Sequence, residues 1–253
     1  MELRIPGRGW LALLGGGEFS FEETLDPDRA WVGKLLATPS GQAALGPVGF
    51  IPAAAGSDDY ARHFAVYLEE YFGLPCEIIP VYRDRDGRRG RNAERVRESS
   101  AVYLGGGVTD HLIGAIAGTP VAEALAGTLR DGGVVVAIAA AAQSAGAVAR
   151  GIVRGGAIPG LGWLPETAVE PNFDPGHDRR LRKMLAEPGV RFGLGIPFGS
   201  AVLLGPEGAV EVVGTVFRIE GADGDLEVLD APAAPLAPFR EEVDDEGGAP
   251  DVN

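Results

Sequence analysis

Gly133-Val-Val-Val-Ala-Ile-Ala-Ala-Ala-Ala-Gln-Ser-Ala-Gly-Ala147 is an apolar strand running into a small-residue turn. Where that turn falls decides both the fold and the chemistry. The string Ser144-Ala-Gly-Ala147 is of the kind that places a serine hydroxyl on a sharp strand-to-helix elbow. Counting residues opposes that placement. Strands usually run to about five or six residues, and Gly132-Gly133 is a natural start, so the strand should be Val134–Ile138 and the elbow Ala139. An elbow at Ser144 needs a strand of about ten residues, half of it Ala and Gln, which are poor strand formers. The run 139–150 reads instead as the following helix, with Ser144 inside it. The elbow then carries a methyl group, which cannot attack a substrate.

Outward from this stretch, short apolar runs alternate with helical patterns. Trp10–Leu14 ends in Gly15-Gly16-Gly17, and Ala101–Leu104 ends in Gly105-Gly106-Gly107. Val48–Pro52 and 77–82 read as further strands. Ser57 reads as the cap of a helix over 58–72, in which Tyr60, Phe64, Tyr67, Leu68 and Tyr71 share one face and Gly73 is the stop. Short helices are expected near 91–99, 110–116 and 121–129. The alternation predicts an α/β fold with a mostly parallel, doubly wound sheet. After about residue 190 the texture becomes short runs between Gly-containing turns (191–196, 201–204, 209–213, 216–220 and 226–229), read as antiparallel strands at one sheet edge. One domain over 1–230 is expected. Beyond it, the Ala/Pro-rich 231–238 and the acidic 239–253 read together as a disordered tail.

The charge is −14, with Lys34 and Lys183 the two lysines among 22 basic residues. Such an acidic surface argues against nonspecific nucleic-acid binding. No apolar run approaches the roughly 20 residues of a membrane span. Cys76 is the single cysteine, so no internal disulfide can form, no Cys/His spacing suggests a metal, and a cytoplasmic location is expected. Neither glycine triplet completes a dinucleotide or P-loop motif, so no cofactor is expected.

In open α/β sheets, sites collect outside the carboxyl ends of strands, where glycines let backbone N–H groups approach a ligand. Backbone donors near Gly106, Gly107 and Ala140 are therefore the expected ligand-binding groups, suited to a carboxylate or a small peptide.

The order Leu14-Gly-Gly-Gly-Glu18, Ile51-Pro-Ala-Ala-Ala-Gly-Ser57, Tyr103-Leu-Gly-Gly-Gly-Val-Thr-Asp-His-Leu112 resembles peptidase family S51, the family of cyanophycinases and aspartyl dipeptidases. The likeness continues through Gly160-Leu-Gly-Trp-Leu-Pro165, Val169-Glu-Pro-Asn-Phe173 and Gly193-Leu-Gly-Ile-Pro-Phe-Gly-Ser-Ala-Val202, covering about residues 10–215. It implies the three-layer α/β/α sandwich of class I glutamine amidotransferase-like proteins. It also implies an ancestral serine hydrolysis of peptide or isopeptide bonds beside aspartate. The departures from the family pattern are concentrated where that chemistry would sit. The serine of Gly-Thr-Ser-Ala-Gly-Ala falls on Ala139, the histidine of a His-Phe pair on Asn172, the acidic segment on Pro197-Phe198, and a polar residue on Val108. A triad works as a unit, so its joint loss reads as a non-catalytic binding or assembly module. The other reading left open is an active serine peptidase with Ser144 as nucleophile and His177 as base. Among the remaining candidates, His111 could face the site and His63 lies on a polar helix face. Arg179, Arg180 and Arg182 could include a carboxylate-binding arginine. A homodimer is the protein partner expected.

Overall fold

In the computed structural model, residues 7–38, 46–153 and 155–238 are described. The parallel core is built from β1 (Trp10–Leu14), β2 (Val48–Ile51), β3 (Cys76–Ile78), β4 (Ala101–Leu104) and β5 (Val134–Ile138). With β10 (Ala201–Leu204) and β11 (Val210–Val213) they form, among the described residues, a seven-stranded sheet of order β11-β10-β1-β5-β4-β2-β3. β1 pairs parallel with β5, Leu14 opposite Ile138, and β5 pairs parallel with β4. β10 and β11 extend the edge in antiparallel fashion.

Alternation along each strand explains the layers. Leu11 and Leu13 belong to one buried cluster, Ala12 and Leu14 to another, because successive side chains point to opposite faces. One face is covered by α1 (Leu25–Ala37) and α2 (Asp59–Phe72). The other carries α4 (Gly90–Glu98), α5 (Thr109–Ile116), α6 (Pro120–Arg130) and α7 (Ala140–Ser144), following the single-turn α3 (Asp84–Gly87). Each fully buried Leu, Ile, Val or Phe contributes roughly 1.5–3 kcal/mol, so these two interfaces hold the fold together. α2 shows how locally the elements are specified. Its aromatic stripe packs on Phe19 and Phe50, Asp58 rather than Ser57 is the N-cap, and Gly73 closes the helix at φ 66° by donating to Glu69 O at 3.0 Å.

Beyond the cap of α2, the folded chain departs from the sequence pattern in three larger respects. The helix expected over 139–150 stops after Ser144, and β6 (Gly146–Arg150) follows it. At Gly146 a side chain would meet Thr167 O at 2.6 Å; this close approach lets β6 pair with β8 (Leu164–Pro171), and that ladder overrides the helical preference of the alanines. Secondly, not every late strand joins the first sheet. β9 (Phe192–Ile196), β12 (Phe217–Glu220) and β13 (Glu227–Val228) join β6, β7 (Ala157–Pro159) and β8 in a second, six-stranded sheet among the described residues. That sheet packs through Leu164, Val169, Leu194 and Ile196 onto the helical side of the first. Thirdly, 231–238 is docked rather than disordered. Ala234 and Ala237 are buried against the α1 side of the core, Ala234 N–H donates to Val212 O at 2.8 Å, and Arg29 Nε donates to Ala237 O at 2.6 Å. Alternating small residues with ready-made backbone partners can be ordered even where composition alone suggests a tail. The remaining part, 239–253, lies outside the described residues.

Candidate functional site

Four strand ends converge on one cavity. β1 supplies Gly16 and Gly17, β4 supplies Gly106 and Gly107, β5 supplies Ile138 and Ala139, and β8 supplies Asn172. Glu18, Ala55, Tyr60 and Phe198 complete the walls of a space of about 350 Å³. The backbone ties these ends together. Ala139 N–H donates to Leu14 O at 3.0 Å, Asn172 N–H to Gly15 O at 2.8 Å, and Gly199 N–H to Gly16 O at 3.0 Å. Gly16, at φ +143°, is required on two counts: the angle suits glycine, and a side chain there would lie 2.2 Å from Asn172 Oδ1. Asn172 therefore rests against bare backbone.

Ala139 is the turn between β5 and α7, with φ 52° and ψ −115°. An L-residue pays for such a conformation with roughly 1–3 kcal/mol of strain. The geometry aims its side chain and the neighbouring backbone into the cavity, and here the side chain is a methyl. Ala139→Gly is expected to raise stability by about 1 kcal/mol, measured by denaturant unfolding, because glycine tolerates positive φ. A drop in stability on that substitution would show that the turn is relaxed.

Ser144 is elsewhere. It lies inside α7, is 0% exposed, and its Oγ donates to Ala141 O at 2.7 Å. His177 sits on the turn Pro175–His177, with its side chain 85% exposed and Nδ1 2.6 Å from Asp174 Oδ2. That contact draws the Asp174 carboxyl below its usual range. The structure does not bring His177 to Ser144. Ala140 is buried at the start of α7 and does not line the cavity that Gly106 and Gly107 line. The half-buried Pro197 offers this region a backbone carbonyl, accepting from Ser200 N–H at 3.1 Å, while Phe198 stands half-exposed at the rim. Val108 caps the start of α5. His111 opens onto a different crevice with Ser57, Tyr82 and Arg83, and His63 is exposed on α2.

On the other side of Asn172 is a second, basic cleft. Arg179, Arg180, Lys183 and His177 line it together with Glu170 and Asp174. Arg182, by contrast, is committed to Asp178 at 2.8 Å and to the carbonyls of Ala222 and Gly224. Glu170 is the residue that sequence reasoning missed. It lies two positions before Asn172 on β8 and is 4% exposed. Its Oε2 accepts from Gln143 Nε2 at 3.2 Å; Gln143 Oε1 in turn accepts from Thr109 Oγ1 at 3.0 Å. Burial pushes the Glu170 carboxyl up, and Arg150, 3.7 Å away, partly offsets this. Asn172, just past the end of β8 with a left-handed backbone at φ 49°, lines the same cleft as Glu170, a juxtaposition that no local period in the sequence signals. Among the described residues, no group of three or more His, Cys, Asp or Glu could hold a metal ion. No single described helix is long and apolar enough to cross a membrane.

The model of peptidase family S51 matches residues 11–205. A crystal structure of a peptidase from an acI-B1 Actinobacterium superposes with TM-score 0.72 at 20% identity, covering 93% of this chain and 99% of that one. A peptidase E candidate from Listeria monocytogenes EGD-e gives TM-score 0.54 at 15% identity, covering 88% of this chain and 100% of that one. At these identities the likeness concerns the fold. No curated protein matches the chain.

Proposed function

The chain belongs to peptidase family S51, and we propose that it keeps the strand-end pocket of that family for binding while lacking the serine, histidine and acid that hydrolysis needs. One observation carries this reading: the strained elbow at φ 52° presents Ala139, a methyl, to the cavity. An amide at Asn172 is no general base, and Pro197 brings no carboxylate. A persisting strained turn without a nucleophile is explained if the turn still serves to hold the pocket's shape. The reading of Ser144 as nucleophile is disfavoured by its burial and by the hydrogen bond to Ala141 O.

The ligand in this proposal is a small peptide or other carboxylate. Glycine-rich backbone lines the first cavity, and Arg179, Arg180 and Lys183 line the cleft that shares Asn172 with it. The single cysteine suits a cytoplasmic setting. The test uses the intact chain. Incubation with a fluorophosphonate probe should leave it unlabelled, and aspartyl dipeptides should bind by calorimetry without being cleaved. Arg180→Ala should weaken that binding about tenfold, as expected for loss of one charge-assisted contact. Labelling at Ser144, or turnover of the dipeptide, would show an active peptidase instead.

A further inference from the structure

The walls of the Ala139 cavity are short of charge. Ile138, Ala139, Tyr60 and Phe198 offer it apolar and aromatic surface, glycine backbone lines much of the rest, and Asn172 brings a neutral amide. Of the described residues that line it, Glu18 alone carries a full charge, and that charge is negative. Tyr60 adds none: burial, and then the charges of Asp28 and Glu18, push its phenol up. The cations Arg179, Arg180 and Lys183 line the adjoining cleft instead, which meets this cavity at Asn172.

The aromatic wall is already in place. On α2, Tyr60 packs edge-to-face on Phe19 with ring centroids 5.0 Å apart, and lies nearly parallel to Phe64 at 6.2 Å and 14°. Tyr60 and Ala139 both rest against the buried cluster that contains Ile138. Such a wall can receive a ligand with little loss of side-chain freedom. Phe198, on the loop between β9 and β10, is 53% exposed and would gain by being covered. A carboxylate entering this space gives up water, finds no cationic side chain, and meets Glu18 with its own sign. An aliphatic or aromatic side chain buries its surface there without that cost. An ammonium group is matched by Glu18.

We propose that this pocket selects a peptide whose first residue is apolar: the side chain fills the space beside Ala139, Ile138, Tyr60 and Phe198, the α-ammonium pairs with Glu18, and the terminal carboxylate reaches Arg179 and Arg180 past Asn172. The proposal rests on the peptide-binding reading above and names the side chain that the pocket prefers. Selectivity is a difference of two affinities. Burial of one apolar side chain raises the affinity roughly tenfold or more, and the unmatched charge of an acidic one widens the gap.

Calorimetry on the intact chain tests this with leucyl-alanine, N-acetyl-leucyl-alanine and aspartyl-alanine, at about pH 7, where the α-ammonium is largely charged. Leucyl-alanine should bind roughly tenfold more tightly than aspartyl-alanine. Acetylation, which removes the ammonium, and Glu18→Gln should each weaken leucyl-alanine about fivefold. Glu18 is exposed, so its substitution leaves the core intact. Phe198→Arg, at the half-exposed rim, should reverse the preference. Arg180→Ala should weaken both free dipeptides alike, because both carry the terminal carboxylate. Aspartyl-alanine binding as tightly as leucyl-alanine overturns the proposal while leaving a peptide pocket in place. So does a loss in Arg180→Ala confined to aspartyl-alanine, or leucyl-alanine binding indifferent to both acetylation and Glu18→Gln. Binding of no dipeptide overturns the peptide-binding reading as well. Cleavage of leucyl-alanine in preference to aspartyl-alanine upholds the specificity and overturns only the non-catalytic reading.

Discussion

A chain carrying Ala139→Ser and Asn172→His is expected to be labelled by a fluorophosphonate at residue 139, where the natural chain takes up none. Both positions line the same cavity, and the elbow at φ 52° already has the backbone turn that exposes a side chain there. A hydroxyl and an imidazole on these two strand ends would face a common space of about 350 Å³, which is the arrangement in which histidine activates serine. Peptide turnover should nevertheless stay low. No carboxylate comes from Pro197 or Phe198, and Glu170 is already engaged with Gln143 and Arg150. Loss of the orienting acid alone costs roughly 10⁴-fold in a serine hydrolase. Mass spectrometry of the labelled peptide decides the matter. A folded double variant that stays unlabelled at 139 would mean that the two side chains do not meet; label on Ser144 in either chain would refute the assignment of the elbow.

The second large effect concerns stability. Asp28 on α1 is wholly buried, and its carboxylate accepts from Thr24 Oγ1 at 2.8 Å, Trp31 Nε1 at 2.8 Å and Tyr67 OH at 3.1 Å. Asp28→Ala strands all three donors in the aromatic core. With each unpaired buried group costing about 1–3 kcal/mol, the variant should lose about 4 kcal/mol. Asp28→Asn isolates the charge. Burial pushes the Asp28 carboxyl up from 3.8 to about 6, against the pull of its three donors. A raised folded value means the folded chain holds the proton more tightly than the unfolded one. That contribution is fully present below about pH 4 and is lost as pH rises through about 6. Relative to Asp28→Asn, the natural chain should therefore lose about 2 kcal/mol of unfolding free energy between pH 4 and pH 7. Parallel pH profiles from urea unfolding would contradict the buried, titrating carboxylate.

The outcomes at particular residues divide by the range of the forces involved. Trp10–Leu14, Ala101–Leu104 and Val134–Ile138 are strands whose ends can be read from the sequence, because a continuous apolar run bounded by glycine is a local signal. Ala139 at the elbow follows from counting along the last of them, and the doubly wound parallel core follows from the alternation of such runs with amphipathic helices. Other features were not legible because each depends on a partner far along the chain. The alanines after Ser144 leave the helix only because β8 comes within reach of Gly146. β9 pairs with β8 while β10 pairs with β1, although both segments have the same short apolar texture. The Ala/Pro segment 231–238 is ordered by the amide and carbonyl of Val212 and by the carbonyl and guanidinium of Arg29. Glu170 gains its role from Gln143 and Arg150, and Asn172 from the bare backbone of Gly16. Propensity and periodicity act over a few residues and thus determined the elements and the place of Ala139 at the end of β5. Which sheet a strand joins, and which polar groups share a buried space, was decided by long-range packing and hydrogen-bond satisfaction, which only the folded chain brings about.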